Sequence, residues 1–426
     1  MAPQDSGMAG KGGGWRGGRR RRKLFGVAGG VLALAALAGP APLACGASPR
    51  GANVPGRFRK LYDELQDQLE RFVASQDRRP ARGGGVTFGG EVLPANAHRG
   101  PGLLDDKTAM AGSVLYVERL KDLGAGGVSL SLSYPLMADG YPRSSEYWDF
   151  YRRLSDEIRK RKLKLHIKTG PLFTEKEFTS VETDYSKLDA PRYFRERMRM
   201  NQRIAEELRP DYLSIGNEPS SEMQILKLKF TADDYTRYIS DSLRGMNRKG
   251  VLVGAGTGNW DSTDWVTKFA RGTDLDYIDI HVYPVASARD DFLRRAVDMA
   301  EIARGSGKRV VIGECWLYKA GKSQLGANPT AASVFAHDVY SFWVPLDTRF
   351  LEGMARFARA EGIDYVSPFW TKYFFAYIDF GKAGLFNSPQ SLTAKGDKAM
   401  VEALTSSRYS PTGEAYRRII REYGRD

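Results

Sequence analysis

Eight short β-rich runs, each followed by enough chain for loops and an amphipathic helix, predict an α/β protein whose main body is a (β/α)8 TIM barrel. The runs are 86–90, 127–133, 163–169, 212–216, 251–255, 277–282, 309–313 and 364–369, with starts roughly 30 to 55 residues apart, room for one helix and two loops. A second observation excludes the main rival, an open dinucleotide-binding sheet. The first run leads into Gly89-Gly90-Glu91-Val92-Leu93-Pro94 and carries no Gly-x-Gly-x-x-Gly. With 426 residues, 42% of them hydrophobic and 11% aromatic, the chain has the material for a large core.

Taken in order, the chain begins with a segment that accounts for much of its charge. Seven of the 64 Lys and Arg residues fall in 1–44 against Asp5 alone, so the formal +13 shrinks to +7 beyond that point. The remaining basic residues alternate with acidic ones and form no long block, which argues against a nucleic-acid partner. Arg19 to Lys23 precede an apolar run from Leu24 to about Leu37, then Gly39, Pro40 and the small-residue exit Leu43-Ala44-Cys45-Gly46. That order is the order of an export signal, and the apolar run is shorter than the ~20 residues of a spanning helix.

Arg21-Arg22-Lys23-Leu24-Phe25 loosely resembles a twin-arginine signal, and Ala44-Cys45-Gly46 a lipoprotein exit in which Cys45 would carry lipid. Cleavage by the ordinary signal peptidase is the alternative. The expected location is periplasmic, cell-surface or secreted, with membrane contact only through lipid on Cys45. Cys315 is the only other cysteine, so the exported body is held by its core and not by disulfides.

Phe58, Leu61, Leu65, Leu69 and Phe72 recur every three or four residues, which predicts an amphipathic helix over 57–74 that caps the body. The organisation expected is an export signal and tether over 1–47, a linker and capping helix over 48–83, and the barrel over 84–426. Within the barrel, helices are predicted over 108–123, ended by Gly124, and over 191–208, opened by Pro191. The glycine-rich stretch 254–258, followed by Asn259 and Trp260, reads as a loop at the barrel mouth.

In a barrel of this kind the chemistry sits at the C-terminal ends of the strands. The fourth run ends in Asn217-Glu218-Pro219, the sixth in His281-Val282-Tyr283, the seventh in Glu314 and the eighth in Trp370. Two glutamates on opposite strands suit glycoside hydrolysis, which needs one carboxylic acid to protonate the leaving oxygen and one carboxylate to attack or to activate water. The bland reading of Glu314 is an ion pair with a barrel cation such as Lys308. His166 reads as a satisfied core histidine, and His98 and His337 as loop and helix positions without a role.

Together Asn217-Glu218-Pro219, His281-x-Tyr283, Gly313-Glu314 and Trp370 resemble clan A of the glycoside hydrolases, retaining (β/α)8 enzymes that include endo-cellulases, β-mannanases and β-galactosidases. The resemblance covers roughly residues 84–404 and implies Glu218 as acid/base and Glu314 as nucleophile. It implies Asn217 on the sugar 2-hydroxyl, Tyr283 as a donor to the nucleophile, His281 as an orienting or sugar-binding group, and Trp370 as a platform beneath the sugar. Many clan members carry an arginine at the end of strand two. This chain has Ser133-Tyr134-Pro135 there, which leaves Arg99 or Arg143 to substitute.

Aromatic residues crowd the loops after the strands, among them Trp260, Trp316, Tyr318 and Tyr373, and long segments after strands seven and eight could wall a cleft. Trp148 and Trp265 sit in helical stretches and read as core. The expected function is hydrolysis of an oligo- or polysaccharide by double displacement, endo-acting and without a cofactor. A carbohydrate-binding barrel without catalysis is the alternative. With four histidines and no His-x-His on strand one, a metal-dependent hydrolase is disfavoured and no metal ligand is assigned. The sequence sets neither the sugar nor the oligomeric state.

Overall fold

The computed structural model describes residues 53–425 except 100, 176–178, 289–290, 326–333 and 384–387. The export segment and Cys45 lie outside the described residues. No described helix is long and apolar enough to cross a membrane.

Eight parallel strands form the sheet: β1 (Thr87–Phe88), β2 (Gly127–Tyr134), β3 (Lys164–Pro171), β4 (Tyr212–Ser214), β5 (Leu252–Gly258), β6 (Tyr277–Val282), β7 (Arg309–Cys315) and β8 (Tyr365–Pro368). Each strand from β2 to β8 pairs with its sequence neighbour and β8 pairs with β1. Closure comes from backbone bonds between the chain around β1 and β2: Ser129 N to Gly90 O at 2.9 Å and Val92 N to Ser129 O at 3.0 Å. The sheet therefore has no free edge.

The described helices of eight or more residues are α1 (Gly56–Asp77), α2 (Ala109–Asp122), α3 (Ser144–Lys160), α4 (Ala190–Arg203), α5 (Pro219–Leu226), α6 (Ala232–Gly245), α7 (Thr263–Gly272), α8 (Phe292–Gly305), α9 (Val344–Glu361), α10 (Pro389–Thr405) and α11 (Pro411–Tyr423). The predicted capping helix is α1. Its buried Leu65, Leu69, Phe72 and Val73 face the body, with Tyr62 stacked on Trp343 and Phe72 edge-on to Phe357 of α9. The helix predicted over 191–208 is α4 continued by one wider π turn, Ile204–Leu208.

One expectation fails in an instructive way. The glycine-rich stretch 254–258 is the body of β5 and not a mouth loop. A Cβ on Gly254 would meet the Tyr277 ring at 2.1 Å, and one on Gly256 would meet the Asp279 carbonyl at 1.5 Å. The glycines are there because β6 presses side chains and backbone onto β5.

The barrel interior is layered. Tyr212, Tyr277, Val311 and Tyr365 pack as a floor. Above them Ser129, His166, Ser214 and Asp279 form a buried polar layer: Ser214 Oγ lies 2.9 Å from His166 Nε2 and donates to Asp279 Oδ2 at 2.5 Å. His166 is the satisfied core histidine expected, and burial holds its pKa well below the ordinary value.

Candidate active site

Four strand ends and one loop supply the polar groups at the mouth. Glu218 occupies the N-cap position of α5, with extended φ of −144° and no side-chain capping bond, so its carboxylate is free to turn toward the barrel axis. Pro219 opens the helix behind it. Behind β4, buried Arg197 of α4 donates to the carbonyls of Thr169 at 2.9 Å and Ile215 at 2.5 Å and pairs with buried Glu222. That clamp fixes the chain just before Asn217 and Glu218.

Glu314 is aimed by a bulge. Asp279 pairs with Val311 but His281 pairs with Glu314, so β7 carries one extra residue against β6, and the same slip recurs against β8. Strict alternation would turn Glu314 away from the interior once Val311 and Gly313 face inward; the extra residue turns it back in. Gly313 N donates to Asp279 Oδ1 at 2.7 Å, and a Cβ on Gly313 would meet that oxygen at 2.4 Å. The buried aspartate thus holds the bulge, and only glycine fits against it.

Around Glu314 two donors converge. Lys168 Nζ reaches Oε1 at 2.7 Å and Tyr283 donates from its hydroxyl to Oε2 at 2.7 Å. His281 Nδ1 lies 2.7 Å from Glu218 Oε1 and 3.6 Å from Glu314 Oε2. Burial alone would raise the Glu314 pKa, but the charges of Lys168 and His281, with the Lys168 and Tyr283 hydrogen bonds, outweigh it and leave it below the ordinary value. Burial disfavours the charged form of His281, yet Glu314 and the bond to Glu218 lift its pKa to about 9. Its Nδ1 thus lies between the two glutamates, and its charge is tied to theirs.

Lys168 also pairs with Glu91 Oε2 at 2.8 Å, and Ser131 donates to Glu91 Oε1 at 2.8 Å. Both Glu91 and Lys168 are buried, and the Lys168 ammonium lies 5.2 Å from the Phe369 ring centroid.

Of the residues predicted from sequence, Glu218, Glu314, His281 and Tyr283 come together here. Asn217 is buried beside Glu218 and its Oδ1 has no hydrogen-bond partner among the described residues. Trp370 is half-buried, edge-on to Phe369 at 5.0 Å. The ion pair considered for Glu314 exists, but with Lys168; Lys308 instead donates to the Thr273 carbonyl. Arg143 does not fill the place of the missing arginine, since it pairs with Asp105 and Glu146 on the surface. Lys168, on the neighbouring strand β3, provides a cation to Glu314.

Sequence reasoning missed Lys168 and Glu91. The His98 ring lies 4.4 Å from Phe173, and burial with the Lys168 charge, opposed by Glu314, brings its pKa to about 4. The only sequence signal for Lys168 is that it shares the inward period-two face of β3 with His166. Two aromatic expectations divide: Trp260 sits at the mouth 6.1 Å from the Tyr283 ring, whereas Trp316 is fully buried and stacked on Tyr373. Trp148 is core as expected, and Trp265 packs against the core from a half-buried position.

Glu218, His281 and Glu314 each present a donor atom, all within 4.8 Å of one another, a spacing that could hold a metal ion. Lys168 and Tyr283 already donate into Glu314 and His281 lies against both carboxyls, so the set suits proton and glycosyl chemistry better than a cation. A cavity of about 710 Å³ lined by Tyr62, Phe342, Phe375, Tyr377 and Tyr409 shares no residue with this cluster.

No protein-family model matches the chain, and no curated protein does. Solved structures similar to it include an exo-β-1,4-mannosidase from Opitutaceae bacterium strain TAV5, at 14% identity and TM-score 0.50, covering 81% of this chain and 61% of that one. A GH113 β-1,4-mannanase matches at 14% identity and TM-score 0.44, over 80% of this chain and 97% of that one. A glycoside hydrolase 5 lichenase from Caldicellulosiruptor sp. F32, in complex with cellotetraose, matches at 13% identity and TM-score 0.46, over 84% and 95%. Likeness at this level of identity is likeness of fold.

Proposed function

We propose that the protein is an exported, retaining β-glycosidase that cleaves an oligo- or polysaccharide internally. The observation that carries this reading is the pairing of Glu218 and Glu314 across the mouth, with an oxygen of each within 4.8 Å. A nearest-oxygen distance of this size is compatible with the ~5 Å carboxyl spacing of a nucleophile and an acid/base, and the anomer of the first product decides between that and the roughly 6.5–9.5 Å of inversion. In the proposed mechanism Glu218 donates its proton to the leaving oxygen while Glu314 attacks the anomeric carbon. Glu218, now a carboxylate, then activates the water that releases the sugar.

The surroundings suit these roles. Lys168, Tyr283 and His281 favour an ionised Glu314. Glu218 is the more open of the two, its side chain 23% exposed against 13%, as a group that must meet both leaving group and water should be. Asn217, with its free Oδ1, serves the sugar 2-hydroxyl, and Trp370 and Trp260 offer ring faces to sugar C–H groups. The mannosidase resemblance makes β-mannans a first substrate to try.

The test is turnover on a panel of β-mannans, β-glucans and xylans, beside Glu218→Ala and Glu314→Ala. Hydrolysis that both variants abolish is the expected result, with oligosaccharides as early products. Binding of a glycan with no turnover on any member would replace the proposal with a non-catalytic barrel. Undiminished activity in chelator is expected, and its loss would favour a metal at the Glu218–His281–Glu314 set. Export is checked by the N-terminus of the mature protein and by fractionation for lipid on Cys45.

A further inference from the structure

A retaining reaction changes the charge of a buried group in mid-cycle. As a Glu314 oxygen bonds to the anomeric carbon, the glycosidic C–O bond breaks and the leaving oxygen takes the Glu218 proton. Glu314 goes from −1 to neutral and Glu218 from neutral to −1. Lys168, 2% exposed, then loses the negative charge 2.7 Å from its ammonium. A buried ammonium without an anion is costly.

Glu91 meets that difficulty. It is fully buried, 2.8 Å from Lys168, and anchored by Ser131 on one side and by its own N–H to the Pro368 carbonyl on the other. Burial raises its pKa and Lys168 lowers it, and loss of the Glu314 charge removes an opposing negative charge, which favours its ionised form in the glycosyl-enzyme. We propose that Glu91 is the standing counter-ion of Lys168, a positioning residue that keeps a fixed cation under Glu314 in both the free and the glycosylated enzyme.

This rests on Glu314 being the nucleophile, and it makes a prediction that a structural role would not. Removing the Glu91 charge leaves the free enzyme with one Lys168–Glu314 pair but strands the cation in the glycosyl-enzyme. The intermediate alone is destabilised, so its formation slows and its breakdown does not.

The experiment is rapid-mixing kinetics of the wild type and Glu91→Gln with aryl β-glycosides of the preferred sugar, from dinitrophenyl to phenyl leaving groups. Glycosylation is expected to fall about 10–100-fold in the variant while deglycosylation is unchanged or faster, so the burst seen with the dinitrophenyl substrate shrinks. Equal loss in both steps, or a larger loss in deglycosylation, would overturn the proposal. Should Glu91→Gln fail to fold, it is made in a Lys168→Gln background. There it should raise the melting temperature and leave the ratio of the two steps unchanged, and a changed ratio would show that Glu91 acts otherwise than through Lys168. A wild-type product of inverted configuration would sink the nucleophile role of Glu314 itself, and this proposal with it.

Discussion

Two buried clusters of carboxylates and lysine meet the chain at the end of strand β7 and just beyond it, and they are built for different ends. At the mouth, Glu91, Lys168, Glu314, His281 and Glu218 form a chain of alternating acidic and basic side chains that reaches solvent at Glu314 and Glu218. Four residues beyond Cys315, Lys319 pairs with Asp347 at 2.5 Å and Asp338 at 3.6 Å, all at 2% exposure or less. The Trp316 and Tyr373 rings lie beside the Lys319 ammonium, at 5.1 and 5.4 Å, and Tyr377 donates to Asp347. Burial and ion pairing are common to both. What separates them is access: the mouth cluster can exchange a proton and meet a substrate, and the sealed one can only tie the loop after β7 to α9.

That contrast can be broken at either end. The largest effects are expected at the mouth. Glu314→Ala should lower kcat/KM by about 10⁴-fold or more on any glycan, and Glu218→Ala by about 10²–10⁴-fold, less with a dinitrophenyl leaving group that needs no acid. Melting curves should place both variants near the wild type. If Glu314→Ala kept full activity, the mouth cluster would be structural after all.

In the sealed cluster the ranking of effects reverses. Lys319→Met strands two buried carboxylates and should cost about 3–5 kcal/mol in denaturant unfolding, while kcat of the folded fraction is unchanged. A fall in kcat with normal stability would mean that this cluster communicates with the substrate.

The pH dependence separates the clusters by sign. Lys168 and His281 depress the Glu314 pKa, so its ionisation is retained through the acidic range and lost only below the ordinary carboxylate value. Lys168→Met combined with Glu91→Gln removes the larger of those charges and strands no carboxylate. The acidic limb of the kcat/KM profile should move up by about 1–3 pH units. An unmoved limb would mean that Lys168 does not hold the nucleophile ionised.

Asp347 is shifted the other way. Burial, only partly offset by Lys319, raises its pKa to about 6 from 3.8. A carboxyl with a raised folded pKa contributes stability that is full below the unfolded value and is lost as pH rises through the folded one, here between about 4 and 6. Asp347→Asn should remove that component and flatten the melting temperature by a few degrees across the window. A wild-type melting temperature that carries no such component would refute the assignment.

Most of the fold could be read from the sequence because a parallel barrel advertises itself. Strands buried on both faces appear as short apolar runs, and the predicted and observed bounds of β6 coincide while most others differ by one or two residues. Glu218, His281, Tyr283 and Glu314 were legible because each sits at or just beyond the end of such a run. Lys168 and Glu91 were not: a lysine inside a strand looks like a solvent-facing position, and nothing local shows that its face is the barrel interior. The bulge at Gly313 is invisible to a period-two pattern, although it decides where Glu314 points. Trp316, two residues beyond Glu314, was among the loop aromatics expected around the cleft, and packing took it inward instead.

The configuration of the first product tests the account most directly. Proton NMR of the newly released reducing end, recorded in the first minutes before mutarotation, is expected to show the β-anomer from a β-linked glycan. Release of the α-anomer would contradict the assignment of Glu314 as nucleophile and of Glu218 as its acid/base partner.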